Sequence, residues 1–186
     1  MTTQALQQAR IPLLERSQVP AEIAALYDQL HANRGVVPNM FKALANVPPL
    51  VLGIAVLLKP LMGEGALPGW YKELLATYVA SLNDCAYCVS AHRILASQRG
   101  ASADQIAGLQ EIETGPFSAK EKAGFIYAGL LHISGHSIDD AAFAAVSAHF
   151  NPAEIVELTA VAAAFEMFSR LNTSLRIPVT PLPKHV

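Results

Sequence analysis

Apolar residues recur along this chain at helical spacing, and no stretch alternates strictly as a half-buried strand would. Pro20 sits in a first-turn position, Ile23, Leu26, Tyr27 and Leu30 form one stripe, and Gly35 ends the pattern. After the connector Val37-Pro38-Asn39, a short helix is predicted over 40–46 and a mostly apolar one over 49–62, with Lys59-Pro60 able to kink its last turn. A Gly- and Pro-rich loop over 63–69 leads to a helix over 70–82, and a further helix follows from Asp84 or Cys85 to Arg99, closed by Gly100. A short helix is expected over 101–109. Ser118 with Glu121 is a capping box opening a helix to about Ser134, stopped by Gly135. Ser137 to Asp140 opens a helix to Phe150, and Asn151 to Glu154 starts a long last helix to about Leu171. The fold class is all-α, a single-domain helical bundle over 20–175. An extended arm (1–19) precedes it and a Pro-rich tail (176–186) follows.

Composition sharpens this. Hydrophobic residues make up 52% of the 186 and charged residues only 15%. The longest uncharged apolar run, Pro48 to Leu58, is too short to span a bilayer, so surplus apolar surface is expected between subunits of a homo-oligomer. A net charge of −2 without a basic cluster excludes nucleic acid as a partner class. The first ten residues lack a charged-then-apolar signal pattern, and a cytoplasmic, reducing location follows as the expectation.

Both cysteines of the chain fall in one Cys-x-x-Cys, Cys85 and Cys88, with His92 four residues on. On a helix these three share a face. Glu73 lies twelve residues before Cys85, which is about 18 Å along a straight helix. The carboxylate can join the other groups only if the chain bends between them. Asn83-Asp84 is the expected bend, with Asp84 as N-cap and Cys85 in the first turn of the next helix. Unpaired N–H groups there favour thiolate, and His92 is placed to take a proton from Cys88. Three readings fit these residue types. Two buried cysteines can be core. A structural zinc site would need Glu73 as a fourth ligand. A Cys-x-x-Cys in a reducing compartment reads as a redox pair.

His132 and His136 read as helix-end or packing residues, His149 as an exposed one, and Trp70 and Tyr78 as core, with Tyr78 able to reach the thiols if its helix packs over them. One internal echo aligns Glu154 with Glu73, which puts Glu166 and Ser169 at the cysteine positions.

The pattern of Glu73, eleven residues, Cys85-x-x-Cys88, three residues and His92 resembles the signature of the alkylhydroperoxidase D-like branch of the carboxymuconolactone decarboxylase superfamily. Arg10-Ile-Pro-Leu-Leu, Leu26-Tyr-Asp, Val37-Pro-Asn-Met-Phe and Pro152-Ala-Glu-Ile-Val-Glu are similar to its peroxidase-related members. The resemblance implies an oligomeric all-helical fold. It implies peroxidase or disulfide-reductase chemistry on a peroxide, without haem, flavin or metal. The reductant would be an external thiol or dithiol, of the lipoyl- or thioredoxin-protein kind. By the same resemblance Cys88 is the peroxidatic thiol and Cys85 the resolving one, while His92 and Glu73 form a proton relay. Helix polarity alone favours Cys85 as the thiolate. Tyr87 stands where some members have a histidine. A non-redox decarboxylase-like enzyme and a redox-sensing or structural oligomer are the alternatives on the same scaffold.

Overall fold

The computed structural model describes residues 8–181, and the parts of the expected arm and tail at 1–7 and 182–186 lie outside the described residues. Among the described residues there are nine α-helices, two 3₁₀ turns and no strand. The helices are α1 Ala21–Arg34, α2 Asn39–Leu44, α3 Pro48–Met62, α4 Gly69–Leu82, α5 Ala86–Gln98, α6 Ala103–Gly108, α7 Ala119–Ser134, α8 Asp140–Ser147 and α9 Pro152–Ser174. The all-helical reading is therefore met. Helix α3 runs through Pro60 to Met62.

The described residues fall into two compact units, drawn from Met1–Lys59 with Leu171–Val186 and from Pro60–Arg170. In the first, Ile23 and Tyr27 of α1 and Phe41 and Leu44 of α2 are buried. The arm and tail are tied down by hydrogen bonds. Leu14 N–H donates to Lys42 O at 3.1 Å and Arg10 N–H to Leu175 O at 2.9 Å. The Asn39 side chain donates to Pro178 O at 3.1 Å.

The second unit is built around α4. Leu74, Leu75, Ala76, Val79 and Ala80 are all fully buried. Each of its large aliphatic side chains contributes roughly 1.5–3 kcal/mol by leaving water. Helices α5 and α7 pack against α4. On the α7 side, Tyr71, Tyr78 and Phe117 set their rings edge-on to Phe125, with centroids 5.3, 5.5 and 4.9 Å away.

A helix buried this completely has little room for charge, yet Lys72 and Glu73 are 0% and 1% exposed. Both are paired, as buried charges must be. Lys72 Nζ meets Glu157 Oε2 at 2.8 Å and donates to Gly63 O at 2.9 Å. The same Glu157 carboxylate accepts the backbone N–H groups of Ala66 and Leu67 at 3.1 and 2.9 Å, tying α9 to the loop before α4. Glu73 turns to α5.

Candidate active site

Two residues reverse the chain between α4 and α5. Asn83 caps α4, and Asp84 takes a left-handed conformation (φ 51°), which Asp tolerates better than most residues. Asp84 N–H donates to Ser81 O at 3.1 Å and Cys85 N–H to Ala80 O at 2.9 Å, satisfying carbonyls that the helix end leaves open. The bend falls where the sequence put it, with one difference. Asp84 is spent on the left-handed turn, so Cys85 takes the N-cap position of α5. Its Sγ accepts the Cys88 N–H at 3.4 Å. A sulfur in that position sees the partial positive end of the helix, which stabilises its anion.

From this elbow α5 returns along α4, and the return solves the distance problem. His92 Nδ1 lies 2.5 Å from Glu73 Oε2. A carboxylate only accepts, so in this bond Nδ1 is the donor and Nε2 is the ring nitrogen turned away from Glu73. The imidazole stands edge-on to Phe165 of α9, with centroids 4.5 Å apart, and this fixes its plane. Glu73 is 1% exposed and the His92 side chain 16%. Cys85 and Cys88 are each 2% exposed. Geometry thus brings Glu73 and His92 into contact and seats both thiols on the helix that carries His92.

Arg99 was not among the residues singled out by spacing. It follows α5 seven residues after His92, so it continues the same helix face, and that was the available signal. Its Nε lies 3.3 Å from Glu73 Oε1, and its Nη1 donates to Met62 O. Each Glu73 oxygen therefore has a cationic or N–H partner. The zinc reading needs this carboxylate as a ligand and finds it already engaged. Among the described residues, no three His, Cys, Asp or Glu side chains gather as a metal-binding group.

Tyr78 points to α7 and Phe125, and burial pushes its hydroxyl above the usual tyrosine range. It lines a groove of about 560 Å³ with Leu82, Leu109 and Ile126, and none of the four site residues lines that groove. His149 is exposed, as expected. His132 is more than a helix-end residue. Its Nδ1 meets Glu166 Oε1 at 2.8 Å, and Asn83 Nδ2 donates to that same oxygen at 2.9 Å. These partners lie 34 and 83 residues apart in sequence, beyond any local pattern.

Residues 51–128, which hold Glu73, both cysteines and His92, match the model of the carboxymuconolactone decarboxylase family. The match covers the segment that carries the site and leaves the rest of the chain outside it. Outside it, the helical architecture extends the likeness. The fold is that of a peroxidase-related protein from Ralstonia eutropha JMP134 described as an alkylhydroperoxidase AhpD core, with a TM-score of 0.87 at 21% identity over 95% of this chain and 94% of that one. A peroxidase-related protein from Silicibacter sp. TM1040 superimposes with a TM-score of 0.84 at 22% identity, over 95% of this chain and 94% of its own. The debrominase Bmp8, solved in complex with 2,3,4-tribromopyrrole, gives 0.82 at 19% identity over the same shares, 95% and 94%. At these identities the likeness establishes the fold. An uncharacterized Escherichia coli (strain K12) protein, YnjA, is 26% identical over 112 residues, 60% of this chain and 62% of that protein, less than two thirds of its length. Among the described residues, no helix is long and apolar enough to cross a membrane.

Proposed function

We propose that this chain is a member of the carboxymuconolactone decarboxylase family that acts as a thiol-dependent peroxidase or disulfide reductase. The observation that carries the reading is the 2.5 Å contact between buried Glu73 of α4 and His92 of α5, the helix that Cys85 caps and that carries Cys88 in its first turn. A core cysteine pair needs no ionisable partner. A redox pair needs a base to take a thiol proton and an acid to return it.

In this reading His92 Nε2 takes the Cys88 proton, and Glu73 holds the imidazolium that results. The Cys88 thiolate attacks one peroxide oxygen and the O–O bond breaks. Cys88 becomes a sulfenic acid, and the departing alkoxide or hydroxide takes the proton from His92. The Cys85 thiol then condenses with the sulfenic acid, forming the Cys85–Cys88 disulfide and releasing water. An external dithiol reduces that disulfide by exchange and leaves as its own disulfide, so no bound cofactor is needed. Hydrogen peroxide is small enough to reach thiols that are almost buried, whereas a protein reductant of the lipoyl or thioredoxin kind requires the α5 N-terminus to open. Exposed Ile126 and Ile133 on α7 and Phe143 on α8 support a homo-oligomer. We place it in the reducing cytoplasm.

The test is peroxide consumption with dithiothreitol as reductant. Wild type turns over, Cys88→Ser falls by at least about 100-fold, and Cys85→Ser stalls after one oxidation. Equal rates in wild type and Cys88→Ser would overturn the reading.

A further inference from the structure

We infer that Arg99 is a positioning residue for the Glu73–His92 pair, and that Gly69 is the position whose missing side chain makes room for it. The inference rests on the function proposed above only for the chemistry that the pair serves.

Arg99 leaves the end of α5 and crosses the first turn of α4. There its guanidinium donates to the carbonyl of Met62 and forms an ion pair with Glu73 Oε1, Nε lying 3.3 Å away. A Cβ on Gly69 would stand 2.8 Å from Arg99 Nη1 and 2.5 Å from Glu64 Oε1, closer than real contacts allow. Glu64 accepts the Gly69 N–H at 3.2 Å and covers the same turn. Gly69 is helical and buried, so alanine there would otherwise favour the helix. Its cost falls on two flexible side-chain ends, one of which is the guanidinium.

The carboxylate explains why this matters. Glu73 is 1% exposed and has two oxygens to satisfy. His92 takes Oε2 and Arg99 takes Oε1, so the group has one rotamer that satisfies both. The charged groups facing it are His92 and Arg99 from α5. Its neighbour Lys72 is turned to Glu157 and Gly63. Phe165 of α9 supplies only a ring edge to His92. Without Arg99, Oε1 is left bare in an apolar setting, and the carboxylate regains freedom to turn away from His92.

Proton NMR on protein labelled with ¹⁵N-histidine reads the pair directly. The Nδ1–H of His92 gives a downfield, slowly exchanging resonance, assigned by its loss in His92→Gln. The expected result is loss or upfield movement of that resonance in Arg99→Met and in Gly69→Ala, with backbone amide spectra still folded. Arg99→Lys recovers it in part, because an ammonium reaches Oε1 without bridging to Met62. Glu64→Gln leaves it in place. Turnover with peroxide and dithiothreitol falls by about tenfold in Arg99→Met and Gly69→Ala, in kcat rather than KM. An unmoved resonance in folded Arg99→Met overturns the inference. Loss of the resonance together with a wild type that consumes no peroxide leaves the inference standing and removes the proposed function instead.

Discussion

The second unit contains the same three groups twice, and the two copies differ in what surrounds them. In one, Glu73 holds His92 at 2.5 Å and Arg99 at 3.3 Å. In the other, Glu166 holds His132 at 2.8 Å and Arg170 at 3.0 Å. The first carboxylate is 1% exposed and the second 13%, while the arginines are 32% and 71% exposed. Water reaches the second carboxylate and leaves the first dry, so the first set is held more tightly to one geometry. The neighbours differ as well. Beside Glu73 the returning helix carries two thiols. Beside Glu166 stands Asn83, which ties α9 to the α4–α5 elbow. A carboxylate–imidazole pair is therefore no sign of chemistry by itself. Beside two thiols and shut from water it suits the relay proposed above, and partly exposed next to an amide it is a clamp on the turn that presents Cys85.

The largest effect should separate the two clusters in stability. Glu73→Ala leaves His92 and Arg99 facing an empty buried site and should cost about 3–5 kcal/mol by urea unfolding. Glu166→Ala removes a partly exposed cluster and should cost less, about 1–2 kcal/mol. Equal losses would erase the distinction drawn between them. The same two variants should also differ in peroxide turnover, lost in the first and kept within about twofold in the second.

A smaller, pH-dependent effect belongs to the ion pairs of α9, outside both clusters. Burial pushes the Glu157 carboxyl up, but hydrogen bonds from Lys72 and the N–H groups of Leu67 and Ala66 outweigh it and hold the group below the usual range. Glu154 is held low by its hydrogen bond from Lys120, with the Asn151 backbone second. A carboxyl depressed in the folded state adds stability that is present above its ordinary value near 4.5 and is lost as pH falls through the folded value. Urea midpoints should therefore drop as the solution is acidified below about pH 4.5, and Glu157→Gln should flatten that fall. A variant that keeps the full wild-type slope assigns it to other groups.

The elbow gives the smallest effect. Asp84→Gly relieves a left-handed residue and should be neutral or stabilise by up to about 1 kcal/mol, whereas Asp84→Val should destabilise by about 1–2 kcal/mol. Thermal unfolding of the two variants checks the sign. The reverse order would mean that the Asp84 side chain, and not its backbone, holds the turn.

Much of this is legible in the sequence. Helical periodicity, the capping boxes at Ser118 and the punctuation by Gly and Pro gave the helices. Glu73 cannot reach Cys85 along one helix, and that length alone located the bend. What escaped was long-range or conformational. Asp84 looked like an N-cap by residue type, but its side chain says nothing of a positive φ, and Cys85 inherits the cap. The last helix runs to Ser174 and not Leu171, because Arg176, also at positive φ, closes it with Ile177 N–H on Asn172 O at 2.9 Å. Helix α8 stops at Ser147, three residues early, and Phe150 is buried instead of continuing it. The internal echo misled in an instructive way. Glu154, aligned with Glu73, meets Lys120 at 2.7 Å near the surface and no imidazole. Glu166, at the first cysteine's position, is the residue that found a histidine. Arg99 carried a usable signal, the heptad step from His92, hidden among ordinary helix-end arginines.

The proposed function stands or falls with Cys85 and Cys88 forming a redox couple served by His92 and Glu73. Intact-mass spectrometry after one equivalent of hydrogen peroxide tests it most directly. The expected outcome is loss of two hydrogens, a Cys85–Cys88 linkage in the peptide map, and recovery of the original mass with dithiothreitol. In Cys85→Ser the expected outcome is one added oxygen on Cys88. An unchanged mass in wild type, with thiols that alkylate after unfolding, would contradict it.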